Sequence, residues 1–208
     1  MDRFTMKNLE LFNSNSINGF NLSDTIDETI TSMGSRKLKS WIAFPLIDKK
    51  EIKKRQEIVK SIIKNDDISN TLDIKLNNIS DIERLMSKIA TYKISPRELV
   101  NLKNSLENVS LIKDSLLVYN GILKNYGKSL PSTKSIIREI SNTLKDDSPV
   151  SILKGDFIED GFSNELDSLR DIRTSGKDYL NQILERETLN TNIPSLKISF
   201  NNVFGYYI

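Results

Sequence analysis

The chain has 208 residues, with 30 Lys and Arg against 28 Asp and Glu, and it contains neither Cys nor His. The absence of Cys excludes disulfides and thiolate chemistry, and the absence of His removes the commonest general base and the commonest metal ligand. This composition argues against a triad hydrolase or a metal-dependent enzyme. No apolar run approaches the ~20 residues needed to span a bilayer, which predicts a soluble, cytoplasmic protein with no membrane partner.

Helical periodicity and helix-capping residues dominate the first 144 residues. The clearest start is Ser95-Pro96-Arg97-Glu98, a capping box with Pro at the first helical position. Other starts are predicted at Thr31 or Ser32, at Asp48 with Glu51, and at Ser80 with Glu83. The predicted helices cover 23–30, 32–42, 49–64, 67–77, 81–91, 96–119 and 132–144.

Turn residues separate these helices. Phe44-Pro45 ends the second helix because the residue before Pro avoids helical dihedrals. Asn120-Gly121 and Tyr126-Gly127 are interpreted as connectors, and Asp146–Pro149 closes the helical block. Trp41 shares a helix face with Leu38 and is predicted to lie in the core.

Basic residues are concentrated between Arg36 and Lys64, a stretch that contains ten of them and only three acidic residues. A solvated helix face is the favoured interpretation, since no aromatic residues are interleaved for stacking on bases. A nucleic-acid footprint or a docking surface for an acidic partner remains the alternative. The charges at Asp81–Leu85 are interpreted as a capped helix start with an exposed ion pair, and the alternative is a buried or interfacial ion network.

One long helix follows an irregular stretch at 155–161. From Ser163, its predicted N-cap, to about Thr191 there is no Pro, and apolar residues recur at helical spacing. Such a helix would be roughly 43 Å long at 1.5 Å per residue, longer than a small domain is wide. It is therefore predicted to project, and Pro194 closes it.

A β-hairpin is predicted at the end of the chain. Apolar residues alternate through two runs, Leu196, Ile198, Phe200 and then Val203, Phe204, Tyr206, Ile208, with Asn201-Asn202 as the turn. A two-stranded hairpin alone is marginal in water, so the chain is expected to be a piece of a longer protein. The predicted fold is all-α, a multi-helical core with a long projecting helix and a short C-terminal hairpin.

These segments, in this order, resemble the MutS family of DNA mismatch-repair proteins over nearly the whole chain. The most recognisable is Met33-Gly34-Ser35-Arg36 leading to Trp41 and Pro45. The others are Asp2–Thr5, Asn8–Leu11, Arg55-Gln56 with Val59, Asp81–Leu85, Ser95–Leu99, Glu165–Asp167 with Leu169-Arg170, Pro194–Lys197, Asn201 and Phe204–Ile208.

The resemblance implies a mechanical role. It assigns 1–162 to a helical core, 163–192 to a lever helix and 193–208 to the start of a truncated clamp. The mismatch-reading domain, the rest of the clamp and an ATPase that uses ATP and Mg²⁺ would lie outside the chain. The expected partners of the longer protein are double-stranded DNA containing mismatches, a MutS-type dimer partner and a MutL-type repair factor.

No catalytic, cofactor-binding or metal-ligating residue is assigned to this chain, and its DNA-contacting residues stay unassigned. The eight glycines include no phosphate-binding G-x-x-x-x-G-K-[ST] loop, so the segment itself is not expected to be an enzyme. The alternative is a free-standing helical module that binds a protein or binds DNA without sequence preference.

Overall fold

Helices carry almost all of the regular structure, which confirms the predicted all-α class. The computed structural model describes residues 2–203 and 205–207, with Lys177 described by its backbone alone. The described chain divides into two compact units, Met1–Ile158 and Glu159–Ile208. The first unit contains α1 (Arg3–Asn8), α2 (Leu22–Ile26), α3 (Ser32–Ala43), α4 (Lys49–Ile63), α5 (Asp66–Asn77), α6 (Ile82–Ala90), α7 (Pro96–Leu117), α8 (Ile122–Ser129), α9 (Lys134–Thr143) and a 3-10 turn, Ile152–Lys154. The second contains α10 (Asn164–Thr191), β1 (Ser199–Asn201) and β2 (Gly205–Tyr207).

Helix α7 is the centre of the first unit and packs against α5, α6, α8 and α9. Its start is the predicted capping box: the Ser95 side chain accepts from the Glu98 N–H, and the Glu98 carboxylate accepts from the Ser95 N–H. The buried cluster beneath it joins three helices and consists of Ile68, Ile112, Leu116 and Leu123. Burial of these apolar side chains stabilises the packing of α5, α7 and α8 against one another.

Helix α8 contradicts the interpretation of Tyr126-Gly127 as a connector. Gly127 lies inside the helix and is buried against α7. A Cβ atom at this position would come within 2.9 Å of the Leu116 Cβ and 3.3 Å of the Lys113 carbonyl oxygen. The missing side chain allows α8 to approach α7 closely. A sequence pattern alone does not distinguish such a packing glycine from a helix-breaking one.

Gly127→Ala should therefore destabilise the first unit by about 1–3 kcal/mol through overpacking. Gly176→Ala is the matched control, because a Cβ in the middle of α10 would meet nothing within 4 Å. There the same change should raise helix stability by up to about 1 kcal/mol. Urea unfolding followed by far-UV circular dichroism measures both, and equal shifts for the two variants would contradict the close packing of α7 on α8.

Several predicted helix boundaries need correction. The helix predicted over 23–30 ends at Ile26, because the Asp27 carboxylate accepts from the Thr29 N–H and draws the backbone out of the helix. The start predicted at Ser80 belongs instead to Asp81, whose side chain accepts from the Arg84 N–H at 3.1 Å. Helix α1 was not predicted, and the remaining predicted helices agree to within about two residues.

The second unit has the predicted long helix and hairpin. Ser163 is the N-cap of α10, and its side chain accepts from the Leu166 N–H at 3.4 Å. Strands β1 and β2 pair antiparallel, with Phe200 opposite Tyr206 and Asn201 opposite Gly205. The aromatic rings of Phe200 and Tyr206 meet edge to face, with their centroids 5.1 Å apart.

The predicted hairpin turn at Asn201-Asn202 is wrong by one residue. Asn201 belongs to β1, and its side chain accepts from the Val203 N–H at 2.8 Å, which starts the loop one residue later. Gly205 opens β2 with φ of 75°, a conformation that favours glycine. The predicted hairpin residues Phe204 and Ile208 lie outside the described residues.

Candidate functional site: an ion-paired junction between two motif segments

Arg36 joins the Met33–Trp41 segment to the Asp81–Leu85 segment. Its Nη1 and Nη2 donate to the two Asp81 carboxylate oxygens at 2.8 and 2.7 Å. Its Nε and Nη2 donate to Glu83 Oε2 at 2.9 and 2.7 Å. One guanidinium therefore ties the second turn of α3 to the N-cap and first turn of α6 with four charge-assisted hydrogen bonds.

Asp81 has two roles at this junction. It is the N-cap of α6, where its Oδ1 accepts from the Arg84 N–H, and it is the paired partner of Arg36. The hydrogen bonds from Arg36, followed by the backbone bond from Arg84, lower the pKa of Asp81 from 3.8 to about 2. The same pairing raises the pKa of Arg36. Both groups are therefore fully charged at neutral pH.

The lowered pKa of Asp81 predicts a defined loss of stability in acid. The contribution of this group is complete above pH 3.8, its unfolded-state value, and is lost as the pH falls towards 2. Asp81→Asn isolates the effect, because Asn caps a helix about as well as Asp but carries no charge. We expect the free energy of unfolding of the variant to fall less steeply between pH 4 and pH 2. Parallel slopes for variant and wild type, measured by urea titration, would contradict the pairing.

Two further contacts fix neighbouring helices around the junction. Lys88 on α6 pairs with Glu98 of the capping box, and this hydrogen bond is the main reason that the pKa of Glu98 is lowered. The Arg55 guanidinium on α4 lies 3.8 Å from the centre of the Trp41 ring. Trp41 remains 41% exposed, so its predicted core position is wrong: it is a partly exposed platform for an arginine.

An apolar cleft of about 310 Å³ opens between the helices of the first unit. Met33 on α3, Ile62 on α4, Leu76 on α5 and Ile112 on α7 contribute to its walls. Among its lining residues there is no carboxylate, amine or guanidinium. The lining thus provides packing surface rather than acid–base groups.

The sequence identified these segments but did not show how they pair. For Asp81–Leu85 it favoured an exposed pair over an ion network, and the structure shows the network: Asp81 and Glu83 both bind an arginine 45 and 47 residues away. No pattern in one sequence joins residues that far apart. All three guanidinium nitrogens of Arg36 bind carboxylates only because the fold brings α3 and α6 together.

Metal binding and membrane insertion would each need a feature that can be looked for in the described residues. Within residues 2–203 and 205–207, no group of three or more acidic side chains is placed to hold a metal ion. In that same part of the chain no helix is both long enough and apolar enough to cross a bilayer.

Comparison with known proteins places these features in one family. A family model described as MutS domain III matches residues 4–198. Over the whole chain, the sequence is 49% identical to the DNA mismatch repair protein MutS of Christiangramia forsetii, 48% to that of Flavobacterium johnsoniae and 45% to that of Phocaeicola vulgatus. The alignments cover 24% of each relative, so the chain spans about a quarter of their length. The chain belongs to the MutS family and corresponds to its domain III.

Proposed function

We propose that this chain is the core and lever of a longer DNA mismatch-repair ATPase, and that it mechanically links the mismatch-binding and clamp regions to the ATPase domain. The segment itself performs no catalysis in this proposal. ATP and Mg²⁺ act in the ATPase domain of the longer protein, which works in the cytoplasm. Its partners are duplex DNA containing mismatches, a second MutS-type subunit and a MutL-type repair factor.

The observation that carries the proposal is the exposed apolar seam of α10. Leu169, Ile172 and Tyr179 are 58%, 68% and 64% exposed, although all three are large and apolar. With Gly176 and Ile183 they follow the 3-4-3-4 spacing of a coiled-coil seam. A helix of this kind gains its stability by packing against a partner helix, because propensity alone is marginal.

A second helix of the longer protein would cover this seam and make α10 a stiff rod. At 1.5 Å per residue, the 28 residues of α10 extend roughly 42 Å, so a small rotation at its base becomes a larger displacement at its tip. At its base, Arg170 pairs with Asp160 and Asp167, and these ion pairs hold the segment before the Ser163 cap against the first turns of α10. The tip leads into the hairpin, which in this proposal is the first part of a DNA-embracing clamp.

The division at 1–162, 163–192 and 193–208 follows from this proposal. The structural boundary at Ile158 and Glu159 lies four residues before the proposed end of the core. The residues between contain Asp160, which pairs with Arg170 of α10. We therefore propose that the core ends at residue 162, in the short segment that precedes the Ser163 N-cap of the lever helix.

The direct test is to read the coding sequence on both sides of this segment and to assay its full product. We expect a downstream G-x-x-x-x-G-K-[ST] loop, Mg²⁺-dependent ATP hydrolysis and tighter binding to a mismatched duplex than to a matched one. The 208-residue chain alone is the control and should hydrolyse no ATP. A full product that lacks the loop and does not discriminate mismatches would contradict the proposal.

A further inference from the structure

Four lysines form a stripe along α4, at positions 49, 53, 60 and 64. At 100° per residue they fall within about 60° of one another, and they extend about 22 Å along the helix axis. All four are exposed, and Lys64 keeps helical dihedrals as the C-cap. Their ammonium groups therefore share one face of a single rigid element.

These cations are not used by the fold. In the described part of the chain none of the four makes an ion pair, whereas Arg36, Lys88 and Lys103 each hold a carboxylate. Arg55 of the same helix lies on a different side and stacks on Trp41.

The acidic residues of α4 neutralise little of the stripe. Glu57 borders it, while Glu51 lies on the far side of the helix at 100° per residue. Because α4 also packs against α5 and α8, its orientation is fixed and the lysine face is held outward. Four positive charges with one neighbouring negative charge create a local positive potential that attracts anionic ligands.

The residue types favour phosphate over protein as the ligand. Protein interfaces are enriched in Arg and aromatic residues and depleted of Lys, whereas lysine is a point charge well suited to phosphate oxygens. No aromatic residue lies on the stripe, so it has nothing on which the bases of a single strand could stack. The stripe is therefore unsuited to single-stranded nucleic acid. The phosphates of a duplex are the polyanion that it matches.

We propose that the lysine stripe of α4 contacts the phosphate backbone of duplex DNA. Its length of about 22 Å corresponds to about six base pairs of duplex at 3.4 Å of axial rise each, a span that carries about thirteen phosphates on its two strands. The contact is independent of sequence and of mismatches, because phosphates carry no base information. It adds a DNA contact to the proposed function and does not depend on the lever motion.

The test is the salt dependence of binding to a fully paired, fluorescein-labelled 20-base-pair duplex, measured by anisotropy with the 208-residue chain. Each contacted phosphate contributes about 0.9 to the slope of log affinity against log salt. The variant K49Q/K53Q/K60Q/K64Q should therefore reduce the magnitude of that slope by about 3 to 4. The charge-preserving variant K49R/K53R/K60R/K64R should keep it.

The matched control is K7Q/K93Q/K134Q/K154Q, which removes the same charge from four exposed lysines on other segments and should leave the slope nearly unchanged. Gln is a good helix former, so helicity should persist. If circular dichroism shows that the quadruple variant has lost helicity, the single variant Lys60→Gln replaces it. That variant should lower the magnitude of the slope by about 0.9.

Three results would overturn the proposal: no duplex binding by the wild-type chain, an equal slope change in the control, or binding of poly-glutamate with the same dependence on the stripe. The last result would identify an acidic protein surface as the ligand. Failure of the proposed function would appear elsewhere, in the ATPase and mismatch assays of the longer protein.

Discussion

Ile172→Pro in the longer protein should abolish the effect of ATP on DNA affinity while leaving nucleotide binding in place. Proline in a helix interior removes one backbone hydrogen bond, clashes with the preceding turn and costs about 3 kcal/mol or more. Ile172 lies in the first third of α10, so a kink there separates the capped base of the helix from most of its length. Allosteric couplings of this kind are typically about 5- to 150-fold, and we expect this one to fall to near unity.

Ile172→Ala is the control for the proline effect. It removes the same side chain, which is 68% exposed in this chain, but keeps the helix continuous. Equilibrium DNA binding with and without ATP, together with nucleotide affinity, distinguishes the two variants. An undiminished ATP effect in Ile172→Pro would show that coupling bypasses α10.

Ile68→Ala should have the largest effect on the stability of the first unit. Ile68 is 1% exposed and packs in one cluster with Ile112, Leu116 and Leu123 from α7 and α8. Truncation removes buried methyl groups and leaves a cavity, which costs about 2–5 kcal/mol when the surroundings cannot collapse. Urea denaturation should show a lower midpoint with an unchanged slope.

Ile74→Ala on the same helix is the matched comparison. That side chain is 61% exposed, and its truncation should change stability by no more than about 0.5 kcal/mol. Similar losses for Ile68→Ala and Ile74→Ala would mean that α5 does not bury the face assigned to it. A loss below about 1 kcal/mol for Ile68→Ala would contradict the position of the core.

Local chemistry made much of the fold predictable. The Ser95 capping box, the Asp48 and Thr31 caps and the stop at Phe44-Pro45 depend on residues within four positions of each other, and all are present. Helix α10 was predictable for the same reason: Ser163 starts it, and no proline interrupts it before Thr191.

Features that depend on distant residues were not predictable. From the sequence, Gly127 was interpreted as a helix break, but it allows the close approach of α7 and α8. Trp41 was predicted to lie in the core, but its ring packs against Arg55 of another helix. The Arg36 junction joins residues 45 and 47 positions apart, and the partners of an arginine cannot be read from spacing. The hairpin turn was misplaced because Asn201 and Asn202 are both good turn residues, and only strand pairing decides between them.

The measurement that tests the lever most directly is a distance between spin labels in the longer protein in its two nucleotide states. Asn104 on α7 and Asn190 near the end of α10 are both exposed, and this chain contains no Cys to interfere with labelling. The lever account predicts that the distance distribution shifts between the ADP-bound and ATP-bound states and that Ile172→Pro removes the shift. A distribution that is the same in both nucleotide states would contradict the account.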